Sequence, residues 1–158
     1  MNLGASRFTC FVADNDAVRT YLREKTDYES IAEMPDDEVD FLLRYHIING
    51  AKMASANLML KLSLPTLTGD YLTAGVDVVT QQRYIDNGEG KEPSFLVRRD
   101  IETTNGVIHT LDKLLEPLTV SVWGIISGNS DYSIFTGALR ASGFDEWLDN
   151  TYRTINET

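Results

Sequence analysis

Residues 98–117 read RRDIETTNGVIHTLDKLLEP, and this stretch decides the fold. Asn105–Gly106 predicts a tight two-residue turn, because Asn and Gly readily adopt the positive φ that such hairpin loops require. The apolar residues that follow, as far as His109, predict the returning strand. Leucines then recur at helical spacing over 111–117, and Pro117 ends the run. The stretch therefore predicts strand, turn, strand and a short amphipathic helical run.

The composition is typical of a globular domain with a sizeable core. Apolar residues make up 42% of the 158 residues and charged residues 24%. The 24 acidic side chains outnumber the 14 basic ones, and the net charge of −10 disfavours nucleic acid and anionic membranes as partners. No apolar run approaches the roughly 20 residues that span a bilayer. No stretch has the pattern of a signal peptide.

The pattern along the chain is β-rich in the middle with helices towards each end. Residues 7–12 form a β run, and Asp14 begins a cluster suited to capping a helix. A short helix is predicted over 27–34 and a second from Pro35 onwards. A hairpin is predicted at 68–70, with β character continuing through 76–79 and 83–85. This order indicates an α+β fold.

Cys10 is the single cysteine, which excludes an internal disulfide and a cysteine-based metal site. It alternates with Phe8 and Val12 on one face of an apolar run, so a buried, inert thiol is expected. A nucleophilic pair of Cys10 with His46 or His109 stays open as the less favoured alternative.

The two histidines both lie in apolar, β-like surroundings. As metal ligands, His46 and His109 would need partners such as Asp14 or Asp100. A histidine that hydrogen-bonds to backbone inside a core is the more common case. No metal site, cofactor or catalytic residue is therefore predicted.

Three stretches together resemble the fasciclin domain family (fasciclin I and beta-Ig-h3). FTCFVADNDAV (8–18) is similar to the family's first strand-and-helix motif, and LLRYHIING (42–50) to its Tyr-His motif. DIETTNGVIHTLDKLLEP (100–117) resembles its second long motif and is the most specific of the three. The chain departs from the pattern at Ala13–Asp14, where the family has Pro-Thr, and at Val18, where it usually has Phe.

The resemblance also implies a domain organisation. Family members normally begin with helices before the first strand, whereas here that strand begins at residue 8. Residues 119–150 resemble such an opening helical segment of a following repeat. We therefore expect residues 1–117 to form a fasciclin-like domain without its usual N-terminal helices. Residues 118–158 are expected to be a helical segment that docks on the domain in cis or swaps within a homodimer.

The fold that the resemblance implies is an α+β wedge of two small sheets with packed helices. Seven residues of the two motifs are expected to have structural roles: Tyr45, His46, Asp100, Asn105, Gly106, His109 and Asp112. Tyr45 and His46 are expected to bridge the motifs through buried hydrogen bonds. Asn105–Gly106 is expected to set the hairpin.

The function implied by the resemblance is a non-enzymatic adhesion or interaction module, extracellular or at the cell surface. Its partner would be a protein or a polysaccharide, with no nucleic acid and no membrane insertion by this segment. The resemblance also implies a parent protein with several repeats, secreted or anchored at the outer membrane as a lipoprotein. The lack of disulfides and of a favourably placed glycosylation sequon favours a bacterial source for it. The alternative is a glycan- or small-ligand-binding domain of a bacterial surface nutrient-uptake system.

Overall fold

The structure is a computed structural model that describes residues 7–86, 91–118 and 120–149, in two compact units, 1–117 and 118–158. The first unit contains the strands β1 (Phe8–Ala13), β2 (Ile47–Asn49), β3 (Leu62–Pro65), β4 (Tyr71–Val76), β5 (Arg83–Asp86), β6 (Ser94–Thr103) and β7 (Gly106–Leu111). It also contains the helices α1 (Asn15–Lys25) and α2 (Asp36–Tyr45), with 3-10 turns at Ile31–Glu33 and Ser55–Asn57. The second unit contains α3 (Val122–Ser127), α4 (Ser133–Ser142) and α5 (Phe144–Leu148), with a 3-10 turn at Ser130–Tyr132. The α+β class is confirmed.

The strands of the first unit follow the order β2-β1-β7-β6-β5-β4-β3. Strand β6 joins two small sheets, because its first residues pair with β5 and the remainder pairs with β7. All neighbouring strands are antiparallel except β1 and β7. Two irregularities interrupt β6, between Leu96 and Arg98 and between Arg98 and Ile101. The predicted wedge of two small sheets with packed helices is thus confirmed.

The parallel pair of β1 and β7 brings the two ends of the first unit together. Phe8 pairs with Gly106 and the register continues to Ala13 with Leu111. A Cβ atom at position 106 would lie 2.3 Å from the backbone oxygen of Phe8. Glycine is therefore required here because the two backbones approach closely.

The β6–β7 turn differs from the sequence prediction. Thr103 pairs with Gly106, so the two loop residues are Thr104 and Asn105. Among the described non-glycine residues, a positive φ occurs at Lys61, Gln81 and Asp100, and so not at Asn105. The φ of Gly106 is not positive either. The predicted location of the turn was right within one residue, but the positive-φ argument for Asn105–Gly106 was wrong.

The first two helices begin where the sequence predicted. The Asp14 carboxylate accepts a hydrogen bond from the Ala17 N–H at 2.9 Å and caps α1. Pro35 precedes α2, whose first turn carries three acidic residues that favour the positive end of the helix dipole. The predicted helix over 27–34 is wrong, because only Ile31–Glu33 forms a single 3-10 turn.

Two apolar clusters form the core of the first unit. The larger lies among the sheet strands and includes Phe11, Tyr45 and Leu115, and the smaller is built around Leu22, Met34 and Leu42. Leu114 packs against the smaller cluster while the next residue, Leu115, is buried in the larger one.

The predicted helical run over 111–117 is wrong. Leu111 is the last residue of β7, and residues 112–117 have no regular secondary structure. The leucines instead lie on an irregular segment, and Leu114 and Leu115 pack in different clusters. We call residues 112–117 the closing segment.

Cys10 lies on the less buried face of β1. Thr9 and Phe11 are the fully buried residues of that strand, whereas Cys10 is half-buried and Val12 is exposed. The predicted apolar face of Phe8, Cys10 and Val12 is therefore the outer face, and the prediction that Cys10 is buried was wrong.

The second unit is a small helical group. Arg140 lies over the Trp123 ring at 5.2 Å from its centroid, and Phe144 and Trp147 meet edge to face. Gly143 ends α4 in the left-handed conformation, which glycine adopts readily because it has no Cβ atom. Residues 150–158 of the predicted helical segment lie outside the described residues. In the described part of the chain, no helix has the length and apolarity needed to cross a membrane.

Replacing Gly106 with Ala tests the close approach of β1 and β7. The new methyl group overlaps the Phe8 carbonyl, so the strands must separate. We expect the free energy of unfolding to fall by about 1–3 kcal/mol, the usual cost of overpacking. The measurement is urea unfolding followed by circular dichroism, with hydrogen exchange of the β1 and β7 amides as the local readout.

Gly137→Ala is the matched control. Gly137 lies inside α4. Apart from its chain neighbours and the backbone of its own helix, no atom of the described residues lies within 4 Å of an added Cβ. Alanine should stabilise the helix there by about 0.5–1 kcal/mol. Unchanged stability of Gly106→Ala would contradict the close approach of the strands.

Candidate functional site

His109 is a buried ring on β7 with both nitrogens bound to backbone. Its Nδ1 accepts a hydrogen bond from the Asp100 N–H at 3.2 Å, and its Nε2 lies 2.8 Å from the Met53 carbonyl oxygen. A backbone N–H can only donate, so Nδ1 carries no proton and Nε2 donates to Met53. The ring is therefore neutral. It also stacks on Phe11 with 5.8 Å between ring centroids.

Asp100 lies in the irregular part of β6 with a φ of +60°. Its carboxylate accepts hydrogen bonds from the backbone N–H of Ser55, at 2.6 Å, and from the Ser55 hydroxyl. These two hydrogen bonds hold the pKa of Asp100 below its usual value. The unusual backbone conformation at Asp100 aims a carboxylate at the segment that follows β2.

Thr9, on the buried face of β1, is the third side chain that holds the segment following β2. Its hydroxyl donates to the Ala51 carbonyl and accepts from the Met53 N–H, each at 2.9 Å. Thr9, Asp100 and His109 therefore hold residues 51–55 from three different strands. We call residues 51–55 the strap.

The arrangement of Ser55, His109 and Asp100 differs from a nucleophilic triad. The Ser55 hydroxyl donates to Asp100, and both nitrogens of His109 bind backbone groups. Asp100 and His109 fix the position of the strap, to which Ser55 itself belongs. This geometry holds backbone in place, and the His109 ring is not hydrogen-bonded to the Ser55 hydroxyl.

His46 holds the closing segment in the same way that His109 holds the strap. It follows the last residue of α2 and is buried. Its Nε2 accepts a hydrogen bond from the Leu115 N–H at 3.0 Å, so its Nδ1 carries the proton and donates to the Leu42 carbonyl at 2.8 Å. Burial lowers the pKa of His46, which favours the neutral ring.

Tyr45 lies in the larger core cluster beside His46. Its ring meets the His46 ring edge to face at 6.5 Å. Burial raises the pKa of the Tyr45 hydroxyl, and the Asp70 and Asp86 carboxylates raise it further. The tyrosine therefore remains neutral in the folded chain.

The remaining predicted residues lie at the two ends of the β6–β7 pair. The Asn105 carbonyl accepts from the Phe8 N–H at 3.0 Å, which joins the turn to β1. At the other end, the Asp112 carboxylate accepts from the Phe95 N–H at 2.7 Å, and the Asp112 N–H donates to the Phe95 carbonyl at 3.1 Å. The seven predicted residues thus surround the sheet and do not converge on one pocket.

The structure does not support a nucleophilic pair of Cys10 with His109. Cys10 pairs with Ile108 across β1 and β7, whereas His109 pairs with Phe11, so Cys10 and His109 lie on opposite faces. Burial raises the pKa of the Cys10 thiol and disfavours the thiolate. Within residues 7–86, 91–118 and 120–149, no three His, Cys, Asp or Glu side chains are grouped to hold a metal ion.

A surface groove of about 600 Å³ lies beside α1 and was missed by the sequence analysis. Charged and apolar side chains line it: Asp14, Asp16, Ala17, Thr20, Tyr21, Glu24, Lys25, Lys91, Glu92, Val97, Asp112, Lys113, Leu114 and Glu116. Glu116 pairs with Lys25 at 3.4 Å and with Lys91 at 3.3 Å. The walls come from three distant stretches of sequence, so no local pattern could reveal the groove.

The loop 77–82 between β4 and β5 was also missed, because 76–79 was predicted as strand. The Asp77 carboxylate accepts from the backbone N–H groups of Val79 and Thr80 and from the Thr80 hydroxyl at 2.7–3.0 Å. These bonds, those from Thr80 first, lower the pKa of Asp77. Val78 and Val79 are 82% and 86% exposed at the tip. These hydrogen bonds hold the loop together, and it presents two exposed apolar side chains.

Comparison with known proteins gives consistent results. A family model described as "Fasciclin domain" matches residues 1–117. The chain is 37% identical over 125 residues to stabilin-2 from Rattus norvegicus. This match covers 72% of the chain and 8% of that protein. It is 29% identical over 154 residues to transforming growth factor-beta-induced protein ig-h3 from Sus scrofa, covering 95% of this chain and 20% of that protein. The chain thus spans a fifth or less of either relative.

Among solved structures, the chain is similar to a FAS1 domain pair from the insect cell adhesion molecule fasciclin I. The sequence identity is 20% and the TM-score is 0.49. The match covers 92% of this chain and 49% of that chain.

Replacing Thr9 with Val tests how strongly the strap is held. Valine keeps the shape but leaves the Ala51 carbonyl and the Met53 N–H without the hydroxyl that binds both. We expect the free energy of unfolding to fall by about 1–3 kcal/mol. Hydrogen exchange should show the largest loss of protection at Met53. Thr103→Val, at an exposed strand position, is the control and should stay within about 0.5 kcal/mol of the parent.

Proposed function

Since this chain belongs to the fasciclin domain family, we propose that it is a non-enzymatic adhesion or interaction module that acts outside the cell or at its surface. Both histidines are neutral and bound to backbone, which supports structural roles for the motif residues. We further propose that the parent protein carries several such repeats and is secreted or anchored at the surface as a lipoprotein. The partner is a protein or a matrix polysaccharide.

The observation that carries the proposal is the loop 77–82. A loop that is already held by hydrogen bonds loses less conformational entropy when a partner covers its exposed apolar side chains. Val78 and Val79 are the two apolar anchors, and Thr80, Gln81 and Gln82 beside them carry no charge. The Asp77 carboxylate is turned into its own loop. These features suit an uncharged, apolar pocket on a partner protein.

The double variant Val78→Asp, Val79→Asp tests this assignment. Burying the two valines is worth about 3 kcal/mol, or about a hundredfold in affinity. We expect cells to lose attachment to surfaces coated with the variant, measured as the number of cells retained under defined shear.

Leu43→Asp is the control, because Leu43 is an exposed apolar residue of α2 away from the loop. It should keep full attachment. Circular dichroism should show the same folded content for both variants. Equal attachment by the double variant and the parent would show that the loop is not the contact.

The second candidate function is glycan or small-ligand binding in a bacterial surface nutrient-uptake system. The groove beside α1 supports it, because a concave surface with paired charges and the Tyr21 ring offers both hydrogen-bonding groups and an apolar face. A glycan array that shows saturable binding, abolished by Asp16→Ala with Glu24→Ala and kept by the loop variant, would favour this function over adhesion.

We also propose that the helices of residues 118–149 bury their apolar sides on a fasciclin strand core, in the same chain or in a second copy. Every described side chain of this unit is at least partly exposed. The exposed large residues include Ile134, Phe135 and Trp147. A helical group of this size is below the length at which a chain usually builds its own core.

Deleting residues 118–158 tests this domain proposal. Loss of several buried large side chains should lower the melting temperature of the remaining unit by about 10 °C or more. Differential scanning calorimetry measures the change. Light scattering of the full chain then separates docking in cis, which gives a monomer, from swapping, which gives a dimer. An unchanged melting temperature would contradict docking.

A further inference from the structure

The closing segment is held to α2 through one buried imidazole. His46 is 6% exposed, and it bridges the Leu42 carbonyl and the Leu115 N–H through its two ring nitrogens. Leu115 lies where the closing segment passes between the two core clusters. This bridge therefore fixes the segment at its most buried point.

The bridge exists only while His46 is neutral. A protonated imidazole has two donors and no acceptor, so its Nε2 can no longer accept from the Leu115 N–H. Two N–H groups would then face each other at a heavy-atom distance of 3.0 Å in the core. Protonation and a closed segment are mutually exclusive on geometry alone.

The charged groups around His46 do not offset a positive ring. On the closing segment, the Glu116 carboxylate is paired with Lys25 of α1 and with Lys91. On α2, Arg44 pairs with Asp40 at the exposed surface. The adjacent Tyr45 ring from α2 is neutral at physiological pH, and the Asp70 and Asp86 carboxylates act on the Tyr45 hydroxyl. From β1, the backbone N–H of Phe11 donates to the His46 carbonyl.

His109 differs from His46 in the residues that surround its ring. The Asp100 backbone N–H binds its ring directly, so a carboxylate-bearing residue lies beside it, whereas the hydrogen-bond partners of the His46 ring are Leu42 and Leu115. The two histidines, which are the only ones in the chain, therefore provide an internal comparison.

We infer that His46 is an acid-sensitive latch: its neutral ring holds the closing segment in place, and its protonation releases the segment. Residues 112–114 and Glu116 form one wall of the groove beside α1. Release therefore removes that wall, whatever the groove binds.

The direction of the pH effect follows from the two states. With the segment released, His46 regains the ordinary pKa of about 6.5. In the closed state, burial lowers that pKa. The latch is fully closed above about pH 6.5, and each pH unit below it weakens closure by about tenfold until the closed-state pKa is reached.

Amide hydrogen exchange of the full chain between pH 7.5 and 5.0 tests the latch. After correction for the intrinsic exchange rate, protection of the Leu115 amide should fall by about tenfold per pH unit below about 6.5. Amides of β4 and β5 should keep their protection. Constant protection of Leu115 would overturn the inference, and so would a simultaneous loss in β4 and β5, which would indicate acid unfolding of the whole unit.

His46→Gln supplies the acceptor without a titrating group. Its carbonyl oxygen can accept from the Leu115 N–H, so protection there should persist and become independent of pH. His109→Gln is the matched control and should keep the pH dependence of the parent. The opposite pattern would assign the switch to His109 and overturn the inference. If His46→Gln does not fold, the parent and His109→Gln profiles decide the question.

Discussion

The first unit depends on two buried imidazole rings that satisfy backbone groups in irregular segments. The strap and the closing segment both lie against the core without the hydrogen-bonding pattern of a helix or a strand. Buried backbone N–H and C=O groups need partners, and an unpaired one costs about 1–3 kcal/mol. His109 supplies a partner for Met53, and His46 supplies one for Leu115. A neutral imidazole suits this role because it carries one donor and one acceptor on opposite sides of a rigid ring.

The sheet provides the frame on which these rings are placed. The close parallel pairing of β1 with β7 sets His109 beside Phe11 and directs both side chains into the core. The irregular backbone of β6 turns Asp100 so that its N–H reaches His109 and its carboxylate reaches Ser55. A single histidine therefore links the strand pairing to the path of the strap.

The same architecture separates the structural residues from the candidate contact surfaces. The buried motif residues make the hydrogen bonds that the core needs. The loop 77–82 and the groove beside α1 do not take part in those bonds. The loop is stiffened by Asp77, whereas the groove is bordered by the closing segment that His46 holds. A contact on the loop is thus independent of the latch, and a contact in the groove is coupled to it.

The sequence by itself determined the α+β class, the first two helix starts and the β6–β7 hairpin, because caps, turn residues and alternating apolar residues act over a few positions. It also identified the fasciclin family through three motifs. Tertiary structure decided what local patterns cannot encode. The leucines at 114 and 115 have helical spacing, yet they enter two clusters along an irregular segment. Gly106 resembles a turn glycine, yet it is required by the backbone of Phe8 about a hundred residues away in sequence. The face of Cys10, the groove and the partners of each histidine arise from distant segments, and only the folded chain brings those segments together.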